Sequence, residues 1–200
     1  TGPNGYLELI RKAKEATESE PRVLHLWQEV TIKRLNSKVA AAEQTLTQDD
    51  SQGARDAVSQ ARGERDRGEI LIFAARCKRE PKNLQLRYEL AIRHKRAGKL
   101  EEAIKGFREV LHEPSLYAVA SLALGECSEQ FDDVPQALEH FRNAAKAASE
   151  PAHWNIRVDA LFRAAKLTAR LKLYRLAARY VGDLLQIEPN HAEALEFRDG

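Results

Sequence analysis

Methionine is absent from this 200-residue chain, and only two cysteines occur. Cys77 and Cys127 stand far apart, in neither a CxxC pair nor a metal-ligand spacing. That excludes a disulfide-framed secreted module and favours a reducing, cytoplasmic compartment. A chain that starts at Thr1 and lacks methionine is expected to be an excised piece, so an upstream signal or anchor would be missing from it. No apolar run approaches the roughly 18–20 residues that a membrane span requires. The longest is near Ile70–Ala75. Aromatic residues are sparse, and so are glycine and proline. Alanine and leucine therefore carry much of the apolar content, which suits closely packed helices.

Charge of one sign is also scarce. The formal net charge of +2 argues against a dedicated nucleic-acid binder, which is usually far more basic. The distribution is uneven all the same. Arg76–Lys105 is rich in Arg and Lys, whereas Val119–Glu150 leans acidic. Solvated helix faces account for both stretches. Nucleic-acid binding by residues 76–105 stays as an alternative that predicts steep salt dependence.

What is present is repetition. Leu100–Leu111 (LEEAIKGFREVL) and Val134–Ala145 (VPQALEHFRNAA) superimpose at Ala103/Ala137 and Phe107/Phe141. Both pairs share one offset, a period of about 34 residues (137 − 103 and 141 − 107). Leu173–Leu185 carries the next matching alanine, Ala177, later than a further period would place it (177 − 137). About six extra residues are thus expected near Ser149–Asn155, in a turn, where added length costs little. An earlier apolar segment with helical spacing precedes each copy: Leu84–Ala97, Leu116–Glu129 and Ile156–Leu171. Gly98, Asp132-Asp133 with Pro135, and Pro114, Pro151 and Pro189 punctuate the pattern. Asn190 with Glu193 predicts a capping box that opens one more helix.

A helix–turn–helix unit of about this length, with small residues and rings so placed, resembles the tetratricopeptide repeat family and is similar to its bacterial members. The middle copy is nearest, with Leu124-Gly125, Ala137, Phe141 and Ala144. The third keeps Ala177 and Ile187-Glu188-Pro189-Asn190. The copies are degenerate. The large aromatic usual in the first helix is Arg87, Ser121 and Leu161 here, and the Gly of the Leu-Gly pair is Ala91 and Ala165 in the outer copies. The resemblance spans about residues 84–190. It implies an all-α helical-repeat solenoid of antiparallel hairpins, with repeats over 84–117, 118–157 and 158–191 and a capping helix from 192.

Residues 1–83 are read as a helical extension. Val23–Thr47 and Ala54–Gly68 predict two long antiparallel helices about a turn at Asp49–Gly53, with Gly63 and Gly68 as breaks. Tyr6–Pro21 and Glu69–Pro81 each resemble the second helix of a repeat, the latter with Phe73 in the aromatic slot. The long helices are expected either to cap the array or to self-associate into a homo-oligomer.

No enzyme constellation emerges. There is no Gly-rich phosphate loop, no HExxH, and no paired ligand spacing among His25, His94, His112, His140, His153 and His191. The sequence predicts no catalytic residue, no metal site and no cofactor. His94 and Cys127 are expected to be structural. A protein or peptide partner is expected instead, since stacked hairpins of this family curve and line a concave groove with their first helices. The groove positions implied by periodicity and resemblance are Tyr88, Ile92, Lys95 and Arg96, then Leu122, Glu126 and Glu129, then Phe162, Lys166, Ala169 and Arg170. Aromatic anchors ringed by charge suit a bound peptide or helix. Packing against neighbouring helices is the competing role for Tyr88 and Phe162. The Lys and Asn cluster with which some relatives grip a terminal carboxylate is lacking.

Overall fold

A computed structural model describes residues 21–199, and among them there are nine α-helices, one 3-10 turn and no strand. The helices are α1 (Pro21–Gln48), α2 (Gln52–Arg79), α3 (Leu84–Arg96), α4 (Leu100–Val110) and α5 (Pro114–Gln130). They continue with α6 (Val134–Ala147), α7 (Trp154–Arg170), α8 (Tyr174–Ile187) and α9 (Ala192–Asp199). The helix expected over Tyr6–Pro21 lies outside the described residues apart from Pro21. Two compact units part inside α2, between Ile72 and Phe73.

In the first unit, α1 and α2 run antiparallel. Arg62 meets Glu43 at 2.7 Å, and Lys38 pairs with Glu64. Leu24, Val39, Ala54, Val58 and Ala61 are buried. The expected breaks at Gly63 and Gly68 do not occur: α2 runs through both without interruption. A helical glycine costs only about 1 kcal/mol relative to alanine, which two cross-helix ion pairs and buried alanines offset.

The second unit is a helical-repeat array of tetratricopeptide-like hairpins. Helices pair as α3/α4, α5/α6 and α7/α8, and each second helix also packs on the next first helix. Its core follows the repeat. Ala103 and Ala137 are fully buried and Ala177 nearly so; Phe107, Phe141 and Val181 beside them are likewise buried. Small residues at those positions allow close helix crossing, and the rings fill the space alongside. The longer connection falls in the linker that contains the 3-10 turn Pro151–His153, before α7.

The turns inside the hairpins share one backbone pattern. Each first helix ends in a residue with positive φ: Gly98 (73°), Asp132 (55°) and Lys172 (59°). The intervals between these three match those between Ala103, Ala137 and Ala177 (132 − 98 with 137 − 103, and 172 − 132 with 177 − 137). Lys99, Asp133 and Leu173 then donate their N–H groups to the carbonyls of His94, Ser128 and Thr168, each at 2.9 Å. This is a Schellman termination used three times. Only glycine adopts that backbone freely. Lys172→Gly is therefore expected to stabilise the fold by about 1 kcal/mol, and Gly98→Ala to destabilise it by about as much. Urea titration of both variants checks the pair; a destabilised Lys172→Gly would show that the lysine side chain matters more than the backbone.

Helix starts are capped locally. Asn83 accepts from Leu86 N–H at 3.2 Å, and Asp133 accepts from Gln136 N–H at 3.2 Å. The opening of α9 differs from the expected box at Asn190. The cap is His191, one residue later, whose Nδ1 accepts from Ala194 N–H at 3.1 Å. Ala194 is buried in the core, which fixes the register of that helix.

Candidate interaction surface

The first helices α3, α5 and α7 touch in sequence, so their outward side chains share one face. The sequence-predicted residues fall into two groups there. Tyr88 and Ile92 are half-buried against the core beneath α3, with the Tyr88 ring 5.8 Å from that of Phe107. Burial pushes the Tyr88 hydroxyl's pKa up. Leu122 packs against the core formed by α6, α7, α8 and α9. Phe162 lies tilted against His191 at 5.2 Å and meets Phe197 edge-on at 6.4 Å, so α9 covers part of its ring.

The charged members lie closer together than their sequence positions suggest. Lys95 of α3 pairs with Glu126 of α5. The other Glu126 oxygen forms an ion pair with Arg163 of α7 at 2.8 Å. Arg163 also meets Asp159 at 2.8 Å and Glu129 at 3.4 Å, and its guanidinium lies 5.9 Å from the Phe141 ring centroid. Burial alone would lower the Arg163 pKa, but Glu126, Asp159 and Glu129 outweigh it and hold the guanidinium firmly charged. Arg163 is the residue that sequence reasoning missed. Lys166 is exposed with its ammonium 5.2 Å from the Phe162 centroid, and Arg170 bonds Asp132 of the preceding hairpin at 3.1 Å. Ala169 is half-buried and Arg96 exposed.

Little here suggests reactive chemistry. Cys127 is fully buried, and burial pushes its thiol up to about 11. Among the described residues no group of His, Cys, Asp and Glu is placed to hold a metal ion, and no helix is long and apolar enough to cross a membrane.

Two histidines are half-buried, His94 on α3 and His140 on α6. Burial pushes His140 below its ordinary 6.5; Glu139 and Asp133 oppose this and Arg108 reinforces it. Burial lowers His94 too, against Glu102 and with Lys99. A depressed native pKa means that the unfolded chain takes the proton first. Stability is therefore full above pH 6.5, falls as pH drops through it, and levels off once the native imidazoles also charge. Thermal melts over that window should show the loss, smaller in His140→Gln; an equal loss in the variant would assign it elsewhere.

No family model matches the sequence, and no curated protein matches it. The fold does match a solved structure. The crystal structure of MamA superimposes with a TM-score of 0.56, covering 68% of this chain and 77% of that one at 16% identity. At that identity the likeness speaks for the fold alone: an all-helical array of stacked hairpins.

Proposed function

We propose that the chain is a non-catalytic protein-interaction scaffold, a degenerate member of the tetratricopeptide repeat family that holds a peptide or helix of another protein along the face of α3, α5 and α7. The carrying observation is the continuity of that face. Lys95, Glu126 and Arg163 interlock across three successive first helices, which joins them into one surface. Tyr88, Ile92, Leu122 and Phe162 supply partly accessible apolar area beside it, and Lys166 and Arg170 stand exposed at its end. Apolar anchors inside a charged rim are the usual anatomy of a protein contact. The groove residues belong to this reading: Tyr88, Ile92, Lys95, Arg96, Leu122, Glu126, Glu129, Phe162, Lys166 and Arg170.

Comparative affinity capture tests the reading. The bait is the full chain beside a Lys166→Glu/Arg170→Glu variant, whose altered side chains are exposed and so leave the core intact. A protein retained by the first and lost by the second is expected. Equal retention by both would move binding off this face.

Self-assembly is a second reading, favoured by one observation. Val23, Leu26 and Val30 on α1 are 51%, 65% and 56% exposed, at helical spacing. Self-association would bury that stripe. Light scattering across concentration decides it: a dimer abolished by Leu26→Glu supports this reading, and a monomer throughout dismisses it.

A further inference from the structure

The contacts between hairpins are lopsided. On one side, α4 packs on α5 and α6 on α7 through large apolar residues, among them Phe107, Phe141 and Val110, all fully buried. On the other side, first helix meets first helix only thinly: α3 against α5 and α5 against α7. What spans that thin side is charge. One carboxylate, Glu126, holds Lys95 with one oxygen and Arg163 with the other. Asp159 and Glu129 take the remaining Arg163 donors.

The two sides respond differently to solvent. Apolar packing is indifferent to moderate salt, whereas partly exposed ion pairs weaken as the Debye length shrinks from about 10 Å at 0.1 M to about 3 Å at 1 M. The side chains here are 17–33% exposed for Glu126, Lys95, Arg163 and Glu129. That leaves them open to screening ions yet sheltered enough for the pairs to count. Glu126 is also pivotal. Without its charge, Lys95 loses this pair and Arg163 keeps only Asp159 and Glu129, so nothing links α3 to α7 through α5 by charge.

We infer that the Lys95–Glu126–Arg163 ladder is a salt-sensitive clasp that sets the spacing of α3, α5 and α7, with the apolar contacts between hairpins acting as the hinge. Weakening the clasp separates the first helices while the fold stays intact. The separation is of the order on which packed helices slide, about 1–2 Å.

Distance measurement between two spin labels tests this directly. Lys99→Cys, just after α3, and Lys166→Cys on α7 carry the labels, and both sites are exposed. The background carries Cys77→Ser, and the fully buried Cys127 stays in place. On raising salt from about 0.05 M to about 1 M, over which the Debye length falls from above about 10 Å to about 3 Å, the mean distance is expected to lengthen and its distribution to broaden. Glu126→Gln should show the high-salt distribution already at low salt, and salt should then change it little. Glu109→Gln, which breaks the Arg87 pair within the first hairpin instead, should behave as the parent chain does. A distance unchanged by salt in a chain that circular dichroism shows folded overturns the inference. Because the salt series needs no change in the ladder, the test stands even if Glu126→Gln fails to fold.

Discussion

Phe141→Ala is expected to cost about 3–5 kcal/mol, the largest effect of any single substitution in the array. The ring is fully buried. It sits where α6 crosses α5, against Gly125, and the Arg163 guanidinium lies 5.9 Å from its centroid. The cavity left by truncation cannot collapse easily, because Ala137, Ala144 and Ala164 around it are already small. A domain of this size is stable by only about 5–15 kcal/mol, so the loss takes a large share. Chemical denaturation gives the number. A cost below about 1 kcal/mol would mean that the ring is not wedged between these helices.

The second large effect is Gly125→Ala. A Cβ at this position would lie 2.5 Å from both Cδ1 and Cε1 of Phe141. The ring is fully buried, so overpacking of about 1–3 kcal/mol is expected. Two opposing terms set the sign. Alanine favours a helix over glycine by about 1 kcal/mol, which the clash must exceed. Gly182 in α8 isolates the propensity, because nothing lies within 4 Å of its Cβ position. Gly182→Ala should stabilise where Gly125→Ala destabilises. The clash should also fade in a Phe141→Leu background, with a coupling of about 0.5–3 kcal/mol. Destabilisation undiminished by Phe141→Leu would place its cause elsewhere.

Gly125 also shows why the degenerate repeats are legible at all. The first hairpin has Ala91 where the second has Gly125, one period on. Its close approach is managed from the opposite helix: a Cβ on Gly106 would come 2.8 Å from that of Ala91. The second hairpin has His140 opposite, at the position corresponding to Gly106. The space at the crossing is kept while the helix that supplies the glycine changes. A residue-by-residue motif therefore looks eroded, yet the period survives, because buried Ala103, Ala137 and Ala177 each sit where two helices meet.

The charge ladder was not legible for a different reason. Lys95, Glu126 and Arg163 stand on three separate helices, each about a repeat from the next, and every one of these helices carries other charged residues. Arg163 was hidden further by register. It falls in the column of Ala123, a core residue of the preceding hairpin, at the same interval that separates Ala177 from Ala137 (163 − 123 and 177 − 137). The first hairpin has Glu89 in that column, and charge at two of its three positions is the signal that would have found it. The cap at His191 escaped because a histidine is an uncommon N-cap and Asn190 beside it fits the usual preference. The unbroken α2 escaped because its support comes from α1, through Glu43 and Lys38, and not from its own polar sequence.

The proposed function rests on which helices meet a partner. Hydrogen–deuterium exchange of the chain with and without the captured protein measures that directly. The account predicts added protection along α3, α5 and α7, clustered about 88–96, 122–129 and 162–170, with α4, α6 and α8 little changed. Protection confined to the second helices or to α1 and α2 would contradict it.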